Sequence, residues 1–233
     1  MHSLGRQVLL RGGAVITTAI GLMFGVATLA YPDDGTNRDA ARHIKGRTIF
    51  SEEFPKAELT VRKEFRFIGT QQINLYGNAE AQQYLFAKSG QDSIVERFYW
   101  IQFEHFLPTN NRTYNYDSTR TGQIGDLKFI YDVKSWPDFA ALAAEDPASD
   151  SAAIGRLLAQ QHLSFPHKTV YVRMFHLPSP DHRTELMIIY GEALPQYTSV
   201  PVRDGGVHLD TESPASAQTF LEHARQGLVI QTR

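Results

Sequence analysis

The sequence predicts an α+β fold, with a mostly antiparallel sheet of about six to eight strands covered by helices. Several strand-like runs are rich in aromatic and β-branched residues on both of their faces. Serine and proline signals open helices between and after those runs. The order along the chain is a strand meander, then helices, then a hairpin and a terminal helix. No linker interrupts this order, so we expect residues 56–233 to form a single domain.

The first strands are predicted by the alternation of apolar and polar residues. Between residues 59 and 67, leucine, valine and phenylalanine alternate with threonine, arginine and glutamate. This is the period of a strand with one solvated face. Residues 74–78 supply a turn, residues 82–88 read as a second strand, and residues 89–92 predict a hairpin turn.

The run IVERFYWIQFEHFL, residues 94–107, is the strongest strand prediction, because aromatic and β-branched residues dominate it. Both of its faces are largely apolar, with Trp100 on one and Ile101 on the other. The same two-sided pattern recurs in three later runs, at residues 127–133, 169–175 and 186–190. We therefore expect the middle of the sheet to be covered on both sides.

Helix signals lie between these strands. A helix is expected over residues 135–144, with Ser135 as its cap and Pro137 in its first turn. Ser149 or Asp150 caps a second helix that continues to about residue 162.

The C-terminal third of the chain predicts a hairpin and a last helix. The hairpin covers residues 168–192, and its loop is the proline-rich segment 177–181. The helix begins at Ser213 and Pro214, carries one apolar side, and ends at Gly227.

The first thirty residues predict a signal peptide or a signal-anchor. No residue between Arg11 and Asp33 is charged, and the uncharged run 12–30 is hydrophobic. Arginines before this run and aspartates after it direct the remainder of the chain outward. Small residues at Gly25 and Ala27, or at Thr28 and Ala30, suit the −3 and −1 positions of a signal peptidase site. Against cleavage, the nineteen residues of the run approach the ~20 that span a bilayer. We expect a periplasmic or extracellular protein, anchored by residues 12–30 if they are not cleaved.

Residues 31–55 predict an irregular tether, because the segment is polar and is interrupted by proline and glycine. Beyond residue 30 the chain carries 21 Lys and Arg against 25 Asp and Glu, a formal charge of −4. A mildly acidic chain of this kind is a poor binder of polyanions, so we expect no nucleic-acid partner. The chain has no cysteine, which excludes disulfides, thiolate metal ligands and a lipid-modified cysteine.

The standard catalytic signatures are missing from the sequence, which contains no GxSxG, HExxH, GxxxxGK[ST], GxGxxG or EF-hand loop. The histidine pairs lack the same-face helical spacing that brings two imidazoles onto one metal ion. We therefore predict neither a metal nor a cofactor. Enzymes whose catalytic residues meet only in the folded chain stay open.

The candidate ligand-binding residues lie at the end of the 94–107 strand and in the loop after it. Gln102 and Glu104 share a face of this apolar strand, and a buried carboxylate there needs a partner. The alternative is that Glu104 reaches solvent at the strand end or pairs with Arg62 or Arg66. The loop brings tyrosine, asparagine and aspartate, residue types that favour contacts with polar ligands, and its candidates are Tyr114, Tyr116 and Asp117.

Three functional hypotheses follow from these observations. The first is an exported, non-catalytic binding module for a small molecule or an envelope partner. The second is an exported hydrolase that uses Glu104, Asp117 or a histidine as general acid or base. The third is a structural envelope protein, for which an exposed apolar patch would be expected.

Overall fold

The computed structural model describes residues 41–136, 138–166, 168–193 and 214–233. The predicted N-terminal segment 1–30 lies outside these residues. None of the described helices is long and apolar enough to span a bilayer. The described strands are Arg42–Lys45 (β1), Thr48–Ser51 (β2), Ala57–Val61 (β3), Arg66–Leu75 (β4), Ala79–Ser89 (β5), Val95–Phe106 (β6), Thr121–Ile124 (β7), Leu127–Trp136 (β8), Thr169–His176 (β9), Thr184–Ala193 (β10) and Leu228–Thr232 (β11). The described helices are Phe139–Glu145 (α1), Asp150–Gln160 (α2) and Pro214–Gly227 (α3).

These strands form two antiparallel sheets. The main sheet has seven strands in the order β4-β5-β6-β10-β9-β8-β7, and the small sheet has four in the order β1-β2-β3-β11. The predicted class, a mostly antiparallel sheet with helices, is confirmed. The seven strands of the main sheet agree with the predicted six to eight, whereas the four-stranded small sheet was not predicted.

The small sheet and α3 cover one face of the main sheet, which we call the inner face. Apolar side chains from all three meet in one buried cluster that includes Leu59, Tyr99, Ile101, Ile188, Leu221 and Ile230. Burying this apolar area is the main stabilising contribution of such a contact. The single-domain prediction for residues 56–233 stays a prediction, because part of that range lies outside the described residues.

Helices α1 and α2 cover the opposite face of the main sheet, which we call the helix face. Trp136 stacks on Tyr171 with ring centroids 4.0 Å apart, and Phe139 of α1 packs against Trp136 at 4.9 Å. Ile154 of α2 joins the same buried cluster as Trp100 of β6. The expectation that the middle of the sheet is covered on both sides is confirmed.

Most of the predicted elements are observed with small shifts. The 94–107 strand is β6, the 168–192 hairpin is β9 and β10, and the last helix is α3, although Ser213 lies outside the described residues. Ser149 caps α2, since its hydroxyl accepts the backbone N–H of Ala152 at 3.1 Å. The N-cap prediction for α1 is wrong: Asp138 accepts the N–H of Ala141, because β8 extends through Ser135 to Trp136.

Two further differences concern the small sheet. The alternation over residues 59–67 belongs to two strands in different sheets, β3 and β4. A turn separates them, and the pattern continues across it because Val61 and Phe65 face the same inner core. Part of the predicted tether is ordered as well: residues 42–51 form the β1–β2 hairpin, whose turn contains Gly46 at φ +63°. Pairing with β3 recruits this hairpin, a long-range effect that local composition does not reveal.

Candidate functional site

Gln102 and Glu104 both lie on the helix face of β6, the third strand of the main sheet. Each is buried, with 0% of Gln102 and 3% of Glu104 exposed. Strands β5 and β10 flank β6 on its two sides, so these polar side chains are enclosed by neighbours in the sheet. A polar group in such a position requires hydrogen-bond partners.

A chain of hydrogen bonds supplies these partners across three strands. Gln71 of β4 donates from Nε2 to Gln83 Oε1 of β5 at 2.7 Å. Gln83 Nε2 donates to Gln102 Oε1 at 2.8 Å, and Gln102 Nε2 donates to Glu104 Oε2 at 2.7 Å. The strand register explains the chain, because Gln71, Gln83 and Gln102 lie directly opposite one another on adjacent strands. We call these residues, together with Glu104 and Tyr114, the polar network.

The network is joined to the apolar layers around it. Trp100 Nε1 donates to Gln102 Oε1 at 3.1 Å, so this one oxygen accepts two hydrogen bonds. Gln83 Nε2 also donates to the carbonyl of Asp150, the first residue of α2, at 3.3 Å. The network therefore ties β6 to both its neighbouring strand and the helix layer.

Glu104 is held by the loop after β6. The hydroxyl of Tyr114 donates to Glu104 Oε1 at 2.8 Å, while Gln102 donates to the other oxygen. A second carboxylate is adjacent, because Glu185 of β10 lies directly opposite Glu104 and is fully buried. The cluster thus places two acids side by side on the helix face.

The alternative environment for Glu104 is wrong in two respects. Glu104 does not reach solvent, since only 3% of it is exposed. It also lies far from Arg66. On the intervening strand β5, Glu104 lies opposite Ala81 and Arg66 lies opposite Ala87. Ala81 and Ala87 are six residues apart, which is about 20 Å along a strand. Arg62 follows β3 of the small sheet, which covers the opposite face.

Residues 107–120 form the loop that covers this end of the helix face. The ring of Tyr114 stacks on Phe106 with centroids 4.4 Å apart, and the ring of Tyr116 stacks on Phe175 of β9 at 3.8 Å. Both tyrosines therefore pack back on the sheet. Asp117 is exposed, so the structure does not place it among the buried members of the site.

Whereas Tyr114 lies over β6, Tyr116 lies over β9. Its stacking partner Phe175 lies opposite Met187 of β10, which in turn lies opposite Gln102. The Tyr116 hydroxyl is buried and has no hydrogen-bond partner among the described residues. Such an atom is uncommon in a native protein, where water or a ligand usually satisfies it.

The β9–β10 hairpin fixes the loop at several points. The backbone N–H of Tyr114 donates to the carbonyl of His182 at 2.8 Å. The guanidinium of Arg183 donates to the carbonyl of Leu107 at 2.9 Å and to that of Arg112 at 3.3 Å. These bonds span the loop and hold it against the sheet.

Three members of the cluster were missed from the sequence: Gln71, Gln83 and Glu185. The available signal was the occurrence of glutamine or glutamate within or beside apolar strands, as in the run from Glu185 to Tyr190. That signal does not show which side chains meet, because strand order and register decide it.

A second group of polar side chains lies at the far end of the inner face. Tyr190 donates to Glu192 Oε1 at 2.6 Å, and Nδ1 of His223 on α3 lies 2.7 Å from the same oxygen. Burial raises the pKa of Tyr190 well above its ordinary range, and the hydrogen bond to Glu192 acts in the same direction. Tyr190 therefore keeps its proton and fixes the carboxylate that faces the imidazole.

Within the described part of the chain, no three histidine, aspartate or glutamate side chains are grouped closely enough to hold a metal ion. No protein-family model, curated protein or solved structure matches this chain. The interpretation of the site therefore depends on its geometry alone.

Proposed function

We propose that this chain is an exported binding domain whose site for a small polar molecule lies on the helix face, beneath residues 107–120. The observation that carries this proposal is the buried Tyr116 hydroxyl, which no described residue satisfies. The Tyr116 ring stacks on Phe175 of β9, two strands from Gln102 on the same face. Buried hydroxyl groups nearly always bond to protein, water or a ligand. A ligand in contact with Tyr116 would provide the partner.

The chemistry of the site favours a ligand that carries hydrogen-bond donors. Glu104 and Glu185 bring two acidic side chains to the loop end of the network. Each carboxylate oxygen accepts more than one hydrogen bond, so Glu104 can add a ligand donor to the bonds from Gln102 and Tyr114. An amine or hydroxyl group of the ligand complements these acceptors.

Entry to this site requires movement of the loop, because Gln102 and Glu104 are buried beneath it. The loop has no helix or strand of its own between β6 and β7, and its tip from residue 111 to 113 is exposed. The contacts from His182 and Arg183 are among those that must open. We expect binding to be slow compared with diffusion, since the closed loop is the favoured state.

Native mass spectrometry of the purified full-length protein tests the proposal. A bound small molecule is the expected result, and its mass identifies a ligand for titration. Replacing Tyr116 by Phe should then weaken binding about tenfold, the effect of losing one hydrogen bond of about 1.4 kcal/mol. The melting temperature should not fall, because the variant removes a buried hydroxyl that no described residue satisfies.

Tyr76→Phe is the matched control, because Tyr76 is exposed and its hydroxyl bonds to Asp146 and not to a member of the polar network. It should leave ligand binding unchanged. The proposal fails if the purified protein carries no small molecule, or if Tyr116→Phe binds a copurified molecule as tightly as the wild type does. In that case an envelope partner becomes the leading hypothesis.

A specific observation favours the hydrolase as a second candidate function. Glu192 fixes the Nδ1 side of the His223 imidazole, and 41% of that side chain is exposed. An oriented imidazole of this kind can accept a proton from water through Nε2. If the chain hydrolyses p-nitrophenyl esters, His223→Asn should lower kcat/KM by about 100-fold or more. His105→Asn, at the His105–Glu80 pair of β6 and β5, should have no effect.

The export of the chain is part of the proposal and has its own test. It is supported by the uncharged run 12–30 with arginines before it and aspartates after it. N-terminal sequencing of the native protein distinguishes the two forms. A native N-terminus directly after Ala27 or Ala30 supports a released domain. A native N-terminus at Met1 supports an anchor if the protein is in the membrane, and contradicts export if the protein is found in the cytoplasm.

A further inference from the structure

Two turns at one end of the small sheet lie side by side. The first turn joins β1 to β2, and the second follows β3 and leads into β4. They touch through the backbone, since the N–H of Val61 donates to the carbonyl of Arg47 at 3.0 Å. The side chain of Arg47 also donates from Nε to the carbonyl of Val61 at 3.2 Å. Residues 45–47 and 62–66 are separate in the sequence but therefore share one surface.

This surface is strongly basic. Its lysine and arginine residues are all exposed, and we call them the basic corner: Lys45, Arg47, Arg62, Lys63 and Arg66. Glu64 is the one acid of the two segments. Among the described residues, no member of the basic corner forms a salt bridge. The corner is thus a concentration of positive charge on a chain whose formal charge beyond residue 30 is −4.

The neighbouring β5–β6 turn does not cancel this charge. It lies at the same end of the main sheet, because Arg66 lies opposite Ala87 and the next residue, Lys88, lies opposite Arg97. Lys88 pairs with Glu96 at 2.9 Å, and the turn between the strands adds one further acid, Asp92. The two basic and two acidic side chains there balance each other.

The basic corner is also close along the chain to the uncharged run 12–30. Residues 31–41 separate this run from the first strand of the small sheet, which begins at Arg42. Eleven residues span at most about 40 Å when fully extended. A bilayer that retains the run therefore lies within reach of the corner. A tether of this length turns a weak attraction into an intramolecular contact with a high effective concentration.

We propose that the basic corner docks on anionic lipid headgroups of the membrane that retains the run 12–30. Clusters of four to eight lysine and arginine residues beside a membrane segment are typical of binding to anionic lipids, and each residue near the surface strengthens binding roughly fivefold. An acidic protein carries the same charge, but the tether keeps the lipid surface within reach at all times. The proposal rests on the anchored form of the exported chain and not on the ligand site.

Docking in this way orients the domain. Arg66 shares a row of the main sheet with Ala87 and Phe98, whereas the loop 107–120 follows Phe106 at the other end of β6. Phe98 and Phe106 are eight residues apart, or about 25 Å along the strand. The loop that covers the candidate site would therefore point away from the bilayer.

Energy transfer in vesicles that contain the full-length protein tests this orientation. The chain has no cysteine, so a single cysteine can carry a fluorescent dye. Glu64→Cys places the dye beside the basic corner, and Asn111→Cys places it on the exposed loop tip. In phosphatidylcholine vesicles with about 30% phosphatidylglycerol, transfer to a rhodamine-labelled lipid should be stronger from residue 64 than from residue 111. In pure phosphatidylcholine, or in about 0.5 M NaCl, this difference should disappear.

A matched pair of charge variants, each in the Glu64→Cys background, identifies the surface. Lys63→Gln/Arg66→Gln removes two charges of the basic corner and should lower the ratio of docked to undocked protein about 30-fold. Arg112→Gln/Lys128→Gln also removes one lysine and one arginine, both exposed and at the opposite end of the main sheet. This control should dock as the wild type does. Circular dichroism establishes that both variants are folded.

Equal transfer from the two dye positions in anionic vesicles overturns the proposal. Docking of Lys63→Gln/Arg66→Gln at the wild-type level also overturns it, and assigns the orientation to another surface. Neutral vesicles test the anchor separately, because only the run 12–30 is expected to hold the chain on them. A chain that does not bind neutral vesicles contradicts the anchored form on which the proposal rests, and leaves the ligand site untouched.

Discussion

Replacement of Gln102 by leucine is the most direct perturbation of the polar network. The side chain accepts hydrogen bonds from Gln83 at 2.8 Å and from Trp100 at 3.1 Å, and it donates to Glu104 at 2.7 Å. Leucine is close to glutamine in volume, so the variant removes three hydrogen bonds without leaving a large cavity. All four side chains are buried, and water cannot readily replace the lost partner.

The expected cost follows from the partners that each group retains. A buried donor or acceptor that loses its hydrogen bond costs about 1–3 kcal/mol. Gln83 keeps its bond to the Asp150 carbonyl and Glu104 keeps that from Tyr114, so the lower value applies to these two. Trp100 Nε1 loses its bond to Gln102, so the three groups together give at least about 3 kcal/mol. For a domain of this size the melting temperature should fall by about 6–12 °C.

Urea unfolding followed by tryptophan fluorescence and circular dichroism measures this loss. Ile101→Val is the matched control on the same strand and the opposite face, with an expected cost of about 1 kcal/mol. The double variant Gln83→Leu/Gln102→Leu adds a test of coupling. Because the two residues share a hydrogen bond, the double variant should be more stable than additivity predicts, by about 0.5 kcal/mol or more.

A stability of Gln102→Leu within 0.5 kcal/mol of the wild type would refute this reasoning. It would mean that the hydrogen bonds of the network contribute no net stability. Additive effects of the Gln83 and Gln102 replacements would contradict the direct bond between them.

Three further predictions concern the rest of the molecule. Burial raises the pKa of Tyr99 and of Tyr171 well above the ordinary range, while unfolded tyrosines ionise near pH 10. The free energy of unfolding, measured in urea at pH 8 and pH 11, should therefore be unaffected below pH 10 and fall above it by about 1.4 kcal/mol per pH unit for each tyrosine. Gly125→Ala should be far more destabilising than Gly46→Ala in thermal melts, although both glycines have positive φ. A Cβ at Gly125 would lie 1.8 Å from the Ile230 carbonyl oxygen, whereas a Cβ at Gly46 would meet no atom within 4 Å. Ser149→Ala should cost about 1 kcal/mol in urea unfolding by removing the cap of α2, with Ser151→Ala as the comparison within the same helix.

Local patterns were sufficient to predict the elements that depend on neighbouring residues. The aromatic run of β6, the loop of the β9–β10 hairpin and the cap at Ser149 all depend on residues close in sequence. The small sheet depends on pairing between segments far apart, since β11 at the end of the chain lies beside β3. Short strands of this kind carry little periodic signal, and their stability comes from tertiary contacts.

The candidate site was predicted in part for the same reason. Gln102, Glu104 and Tyr114 were named from the sequence, and they are joined by hydrogen bonds. Gln71, Gln83 and Glu185 were missed because the register of β4, β5 and β10 alone brings them together. Asp117 was named for its residue type, and it is exposed in the folded chain.

The sequence by itself determined that this chain folds as α+β with an antiparallel sheet buried on both faces, because side-chain periodicity is a local property. It also supplied the polar residues that such a sheet must satisfy, Gln102 and Glu104 among them. Only the tertiary structure decided the strand order, the second sheet and the partners of each buried polar group. Those depend on which distant segments pair and in what register, and a shift of one residue would turn every side chain of a strand to its other face.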